Sequence, residues 1–482
     1  MAVRAIEVHE YAAQPMEQAR ASTSTSVTDE HSLLAAAIAN ALSACGCHAQ
    51  VTESLGASTD ELVLTTALCD GDGDGDGDGA GDGADIHWRA MLQAQAFRAA
   101  GGKSLILLQD TGGQFHGGPS QGWHGGMAAL ARTASLEWPD MSVRCIDIAI
   151  DPDDLASTAQ RLLVALKSTF PVLGVDLAGR VHCLQAGELL SQPKIHDVEY
   201  SATRASDVWL VSGGARGVTA ACIEALAQQS SGSFALLGRS IPAEWPSDVA
   251  LTDDVKVLRR LLAANALAAG DKPVPKDIEQ QARQLLAGQE IRDTLHRLNT
   301  AGVSAQYYPC DIADQQQVRE TVALVQRAHG RITALVHGAG VLADSLLIDK
   351  TQGQLDRVFN TKVGGLKNLL HALPDTSLTH VALFSSAAAF YGNTGQADYA
   401  MANEVLNRVA RTLKLRSPNA IIKSFNWGPW DSGMVDQTLA RYFEERGIGL
   451  IPVQEGANLF AEEMLAGDHR IVELLVGDPW AG

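Results

Sequence analysis

The sequence predicts an α/β protein of two Rossmann-like, doubly wound parallel-sheet subdomains. The first is expected to be degenerate and structural, the second to carry the candidate site and an inserted helical segment. Three observations support this. Short apolar strand signals alternate with helical periods, which calls for parallel strands joined by right-handed crossovers. The 482 residues exceed what one core usually occupies, and 46% hydrophobic side chains can fill two. A glycine-rich turn opens a helix in the second half alone.

In residues 1 to about 200, a helical stretch at Ser32–Leu42 and a strand at Glu61–Ala67 come first. A strand at Leu105–Leu108, a turn from Gly112 to Gly126, a helix at Met127–Glu137 and a strand at Val143–Ile150 follow. No G-x-G-x-x-G opens a helix here, so this half is expected to hold no dinucleotide, and Gly112-Gly113 reads as a tight connection. Between Asp70 and Asp85, Asp and Gly alternate with nothing more apolar than alanine, which predicts a solvated, flexible loop. It lacks the closing Glu of an EF-hand and the apolar residue of a β-roll turn, so calcium is not expected. Cys45, Cys47 and His48 lack a matching distant pair, so no metal site is expected. Seven scattered cysteines, odd in number, suit reduced thiols. No apolar run approaches the roughly 20 residues of a membrane span, and Met1–Arg20 lacks the apolar stretch of a signal peptide. A soluble, cytoplasmic protein is therefore expected. A net charge of −19 argues against a nucleic-acid partner.

From 201 to 482, strand signals fall at Val208–Val211, Phe234–Leu237, Ala305–Tyr308, Ala334–Val336, Val381–Phe384 and Ile421–Phe425. Residues Leu251–Leu298 are too long for one crossover and read as a helical insert, about 245–300, with its turn at Asp271–Pro275. Directly after the first strand stands Ser212-Gly213-Gly214-Ala215-Arg216-Gly217-Val218-Thr219, then the helical Ala220–Gln229. Strand, glycine turn and helix in that order set backbone N–H groups and a helix N-terminus against a pyrophosphate. The next strand ends in Gly238-Arg239-Ser240, at the ribose edge of such a site. A carboxylate there would suit NAD; arginine and serine favour the 2′-phosphate of NADPH, with Arg216 a second candidate for it. Asp311 and Ile312 follow the third strand, where the carboxylate could accept the adenine amino group. Gly338-Ala339-Gly340 lets the backbone come close to a cofactor.

Ser386 ends a strand, Tyr399 opens a helix thirteen residues later, and Asn403 lies four residues on, sharing its face. Lys362 stands twenty-four residues before Ser386. Reducing a ketone needs a proton for the developing alkoxide, and a phenol gives it up more easily beside a cation.

In Val211–Thr219, in Leu237-Gly-Arg-Ser240 and in the long insert, the sequence resembles the ketoreductase domains of polyketide synthases and polyunsaturated fatty acid synthases. These belong to the short-chain dehydrogenase superfamily. The resemblance covers nearly the whole chain and implies a structural subdomain over 1–200, including Leu136-Glu137-Trp138-Pro139, before a catalytic one over 201–482. It implies NADPH-dependent reduction of a β-ketoacyl thioester, held on an acyl carrier protein among other synthase domains, to a β-hydroxyacyl thioester. Tyr399 is implied as proton donor, Ser386 as the group holding the carbonyl, Lys362 as the cation and Asn403 as support, with lysine and asparagine in the exchanged positions of these synthases. Thr219 and Ser212 depart from the family's glycine and threonine. Asn426 to Gly433-Met434 and the helical Val435–Arg446 resemble the family's mobile segment, so a lid over about 427–450 is expected, with Trp427 and Met434 facing substrate. Leu342-Ala343-Asp344 keeps two of three residues of the D-type signature, and Tyr391 stands where L-type domains carry tryptophan, so a D or (3R) product is expected. Arg408, Arg411, Lys414 and Arg416 are expected to give a basic surface for an acidic carrier, or else to complement their helix's C-terminal dipole. Two alternatives stay open: a non-catalytic NADPH-binding module, and a free-standing dehydrogenase of small alcohols.

Overall fold

The computed structural model describes residues 1–11, 24–28, 32–52, 59–68, 82–116, 121–189, 207–373, 378–432, 441 and 443–480. In the first half lie β1 (Val3–Glu10), β2 (Ser24–Thr28), β3 (His48–Thr52), β4 (Glu61–Ala67), β5 (Ser104–Gln109), β6 (Ser142–Ile148), β7 (Val172–Val175) and β8 (Val181–Leu189). The second half has β9 (Val208–Ser212), β10 (Ser233–Gly238), β11 (Ser304–Pro309), β12 (Ala334–His337), β13 (His380–Ser386), β14 (Ile421–Trp427) and β15 (Glu473–Val476).

All fifteen strands form one sheet, ordered β11-β10-β9-β12-β13-β14-β15-β1-β8-β7-β6-β5-β4-β2-β3. Each half is built on a parallel set, β2–β7 in the first and β9–β15 in the second, and β8 runs antiparallel to β7. The halves fuse because β1 runs antiparallel to both β15 and β8, with Val3 opposite Val476 and Val8 opposite Leu184. Central strands such as β9 and β4 are buried at every position, as expected where helices cover both faces. The chain reverses its strand order between β9 and β12, which opens a crevice beyond their carboxyl ends.

One apolar cluster runs across both halves, joining Phe115 and Leu130 to Leu335, Leu366 and Met401. Ala129, Ala388 and Ala400 let the helix Met127–Glu137 pack closely on the helix Ala397–Arg416. The Gly112-Gly113 turn packs directly on β7: Gly113 has φ +71°, and a Cβ there would lie 2.0 Å from the Val175 carbonyl oxygen. The insert is two helices, Val255–Ala268 and Pro275–Thr300. Among the described residues no helix is long and apolar enough to cross a membrane, and no group of His, Cys, Asp or Glu could hold a metal ion.

Two expectations need correction. The acidic stretch expected as loop to Asp85 passes into the helix Asp82–Ala99, and residues 69–81 lie outside the described residues. Asp85 there pairs with Arg89 one turn on, and Met91, Ala94 and Phe97 are buried, so tertiary packing overrides the local composition. The basic cluster is a surface only at its end: Arg416 is exposed and Lys414 half-buried, but the first two arginines are taken up by internal partners. Arg408 is 1% exposed and donates to the Phe115 carbonyl, while Arg411 pairs with the buried Glu473. Lys414 donates to the carbonyls of Pro418 and Ala420. Burying a guanidinium is tolerable only where carboxylates and carbonyls meet it, and here both halves supply them.

Candidate active site

β9 ends at Ser212, and the helix Gly217–Ala227 begins after a turn built on close approach. Gly213 has φ +71°, and a Cβ there would stand 2.9 Å from the Ala339 nitrogen. Thr219, where a third glycine was expected, fits because Gly338 faces it: a Cβ on Gly338 would lie 2.5 Å from the Thr219 hydroxyl oxygen. Gly214 is buried against Val211 and serves packing rather than the cavity.

A cavity of about 910 Å³ starts at this turn. Gly213, Arg216, Gly217 and Val218 line its outer end. Gly238, Arg239 and Ser240 form one wall, with Arg239 exposed and the Ser240 carbonyl accepting from the Tyr307 hydroxyl at 2.7 Å. Asp311 and Ile312 line the next edge; the Asp311 carboxylate accepts the Ala313 N–H. Gly338, Ala339 and Gly340 form the floor. Glycines that admit no Cβ leave the backbone bare at the turn. The buried indole N–H groups of Trp427 and Trp430, both on the lining, have no hydrogen-bond partner among the described residues. A glycine turn at a helix N-terminus, buried indole donors and a cationic wall fit a dinucleotide better than an apolar ligand.

At the inner end Ser386, Tyr399 and Lys362 meet on the same cavity. Ser386 closes β13 and also caps the short helix Ala387–Tyr391 by accepting the Ala388 N–H at 3.2 Å. Lys362 sits in a π-helical turn, Asn360–Gly364, a local widening frequent at functional sites. Its Nζ donates to the Phe384 carbonyl at 2.8 Å and lies 5.3 Å from the centre of the Tyr399 ring. Burial brings the Lys362 amine down to about 7. Burial pushes the Tyr399 phenol up, and the side chains of Asn403 and Ser386 oppose that shift. Asn403 is fully buried, does not line the cavity, and donates Nδ2–H to the Tyr399 carbonyl at 2.8 Å. Behind it the Ser385 hydroxyl donates to the Asn403 carbonyl at 3.0 Å.

Residues 208–432 match the family model described as the KR domain. Over 366 residues the chain is 35% identical to a polyunsaturated fatty acid synthase polypeptide of Thraustochytrium sp., covering 73% of this chain and 13% of that protein. It is 28% identical over 242 residues to an erythronolide synthase of Saccharopolyspora erythraea, covering 50% of this chain and 7% of that one. The chain thus spans a small fraction of the length of these relatives. Two solved structures share the fold. A-type ketoreductases from a modular polyketide synthase give a TM-score of 0.72 at 22% identity, over 98% of this chain and 92% of theirs. A ketoreductase domain from the bacillaene assembly line gives 0.68 at 18%, over 99% and 97%.

The chain is a polyketide-synthase-type ketoreductase domain. Of the ketoreductase's expected substrate-side residues, Leu342, Asp344 and Trp427 line the cavity. Gln396 Nε2 donates to both Asp344 carboxylate oxygens at 3.2 Å. Tyr391 is set back, stacked on Trp480 at 5.7 Å, and Trp480 lines the cavity in its place. Met434 and most of the expected lid helix, 433–440 and 442, lie outside the described residues. The base of that segment is tied down where Gly428 donates to Val476 and Ile451 donates to Pro429.

Sequence reasoning missed three groups. His337 bridges the site: its Nε2–H donates to the Lys362 carbonyl at 2.9 Å and its Nδ1 accepts the Ser212 hydroxyl at 2.7 Å. Burial, and then the Lys362 charge, bring its imidazole down to about 3, so the ring is neutral at pH 7. Its position directly before Gly338 was the available signal. Phe443 and Trp480 add an aromatic end from residues distant in sequence. Glu290 of the insert holds Arg216, with Nε 2.7 Å from Oε2. No local pattern marks that pairing.

Proposed function

We propose that this ketoreductase domain uses NADPH to reduce a β-ketoacyl thioester on an acyl carrier protein to the D or (3R) β-hydroxyacyl thioester. The observation that carries the reading is the meeting of Tyr399, Ser386 and Lys362 on the cavity that begins at the glycine turn. A nicotinamide cofactor, when bound, supplies the hydride. Tyr399 donates its phenolic proton to the developing alkoxide, and the Ser386 hydroxyl orients the carbonyl oxygen. The Lys362 cation stabilises the phenolate that remains. Asn403 holds the first turn of the tyrosine helix. For the phosphorylated cofactor, the support is Arg239 and Ser240 on the wall and the absence of a carboxylate at those positions. A charge-assisted contact to the 2′-phosphate contributes about 1.5–3 kcal/mol. For the carrier-bound thioester, the support is the likeness to multidomain synthases. For the D product it is Asp344 on the lining and the lack of tryptophan at Tyr391. A structural role for residues 1–200 and a catalytic one for 201–482 is supported by the concentration of the expected cavity residues in the second half.

The test offers the purified chain a synthetic β-ketoacyl thioester with NADPH or NADH, followed by chiral chromatography. NADPH consumption and a predominant D isomer are expected. Equal use of NADH rejects the cofactor preference, a predominant L isomer rejects the stereochemistry, and no turnover with any thioester leaves a non-catalytic NADPH-binding module.

A further inference from the structure

The insert helix Pro275–Thr300 does more than fill a crossover. Ile291 and Leu298 on it are buried in the core with Ile223 and Leu226 of the helix Gly217–Ala227, and Arg297 pairs with Glu224 of that helix at 2.8 Å. This docking brings Glu290, one residue before the cavity-lining Ile291, onto the glycine turn. Its Oε1 accepts the Gly217 N–H at 2.8 Å, and its Oε2 meets Arg216 Nε at 2.7 Å. Both carboxylate oxygens therefore sit on the backbone donor and the cation at the opening of the helix, the groups best suited there to a phosphate.

We propose that Glu290 is an internal anion that competes with the cofactor for Arg216 and the Gly217 N–H, and so sets its affinity and its discrimination for the phosphorylated form. The inference rests on the dinucleotide reading of this cavity. A phosphate approaching Arg216 meets a neutralised ion pair and a nearby carboxylate rather than a free cation, and both weaken its attraction. The helix is anchored by Ile291, Leu298 and Arg297, so release requires only that the Glu290 side chain rotate toward solvent. Its side chain is 41% exposed, which leaves that path open. Removing the charge should tighten binding, most strongly for the ligand with the extra phosphate. If Glu290 instead serves to orient Arg216, removing it should loosen binding, and the two ideas differ in sign.

The test measures Kd by calorimetry for NADPH and NADH with wild type, Glu290→Gln and Glu224→Gln. Glu290→Gln keeps the side-chain shape and a hydrogen-bond acceptor for Gly217. Glu224→Gln breaks the other ion pair between the two helices without touching the turn, and thermal melting checks that each variant is folded. About a tenfold fall in the NADPH Kd of Glu290→Gln is expected, with a smaller fall for NADH and no change in Glu224→Gln. An unchanged or raised NADPH Kd in Glu290→Gln overturns the proposal, as does an equal tightening in Glu224→Gln, which would trace the effect to looser helix packing. If folded wild type and Glu290→Gln bind neither nucleotide, the dinucleotide reading itself fails. Binding by wild type without the Glu290 effect defeats this inference alone.

Discussion

Among the described residues no carboxylate pairs with Lys362: its ammonium rests on the Phe384 carbonyl and over the Tyr399 ring, and burial draws its proton affinity down to about 7. The phenol is shifted the other way by the same burial. Each shift favours a neutral group, so the pair is poised for the phenol to lose its proton only when the amine is charged. Lys362 is cationic below about pH 7 and loses that charge as pH rises through it. Reduction should therefore show kcat/KM falling above about pH 7, and Lys362→Met should lower the rate at pH 6 and remove that limb. A pH series of initial rates checks both. Tyr399→Phe deletes only the acidic hydroxyl. It should cost about 10²–10⁴-fold in kcat with the cofactor Kd unchanged, and a variant keeping more than about a tenth of the rate would contradict the assignment.

At the level of elements, one buried ion pair ties the substrate side of the cavity to the tyrosine helix. Lys350 Nζ donates to Asp398 Oδ1 at 2.9 Å and to the carbonyls of Ala343 and Gly395. Both side chains are essentially inaccessible. The loop bearing Leu342 and Asp344 and the first turn of the helix bearing Tyr399 thus share one cation. Burial raises the Asp398 carboxyl while Lys350 holds it down, and Asp398 also accepts the Tyr399 N–H at 2.8 Å. Lys350→Met leaves that carboxylate uncompensated and should cost about 3–5 kcal/mol, read as a lower urea midpoint, together with a fall in kcat. Adding Asp398→Leu should restore part of the stability without the activity, because the apolar pair fills the space but no longer joins the two elements. The insert shows the same dependence on packing. Its two helical periods and the turn at Asp271–Pro275 are legible in the sequence, whereas its docking through Ile291 and Leu298 is not, since periodicity reports a face and not its partner.

Across the whole molecule, the two parallel sets act as one body because hydrogen bonds of charged side chains, as well as strand pairing, cross between them. Arg408 and Arg411, on the tyrosine helix, meet Glu473 of β15, and Arg408 also reaches Glu404 and the Phe115 carbonyl of the first half. Glu404 in turn accepts the Ala129 N–H at 2.6 Å. Arg408→Met should leave Glu404 with its main counter-charge removed and cost about 3–5 kcal/mol, seen as a lowered denaturation midpoint under conditions where surface arginine substitutions have little effect. The sequence by itself determined what is local: strands from continuous apolar runs, the turn from Gly213 and Gly217, and the spacing of Lys362, Ser386, Tyr399 and Asn403 that points to ketone reduction. Only the tertiary structure decided that Arg408 and Arg411 are interior, that β1 and β8 fuse two sheets into one, that the stretch before Arg89 enters a helix, and that His337 and Glu290 belong to the site. Each of these depends on what a residue far away in the chain places opposite it. A run of basic side chains reads as surface until partners from other elements, here Glu473 and the Phe115 carbonyl, make its burial favourable, and no short window of sequence contains them.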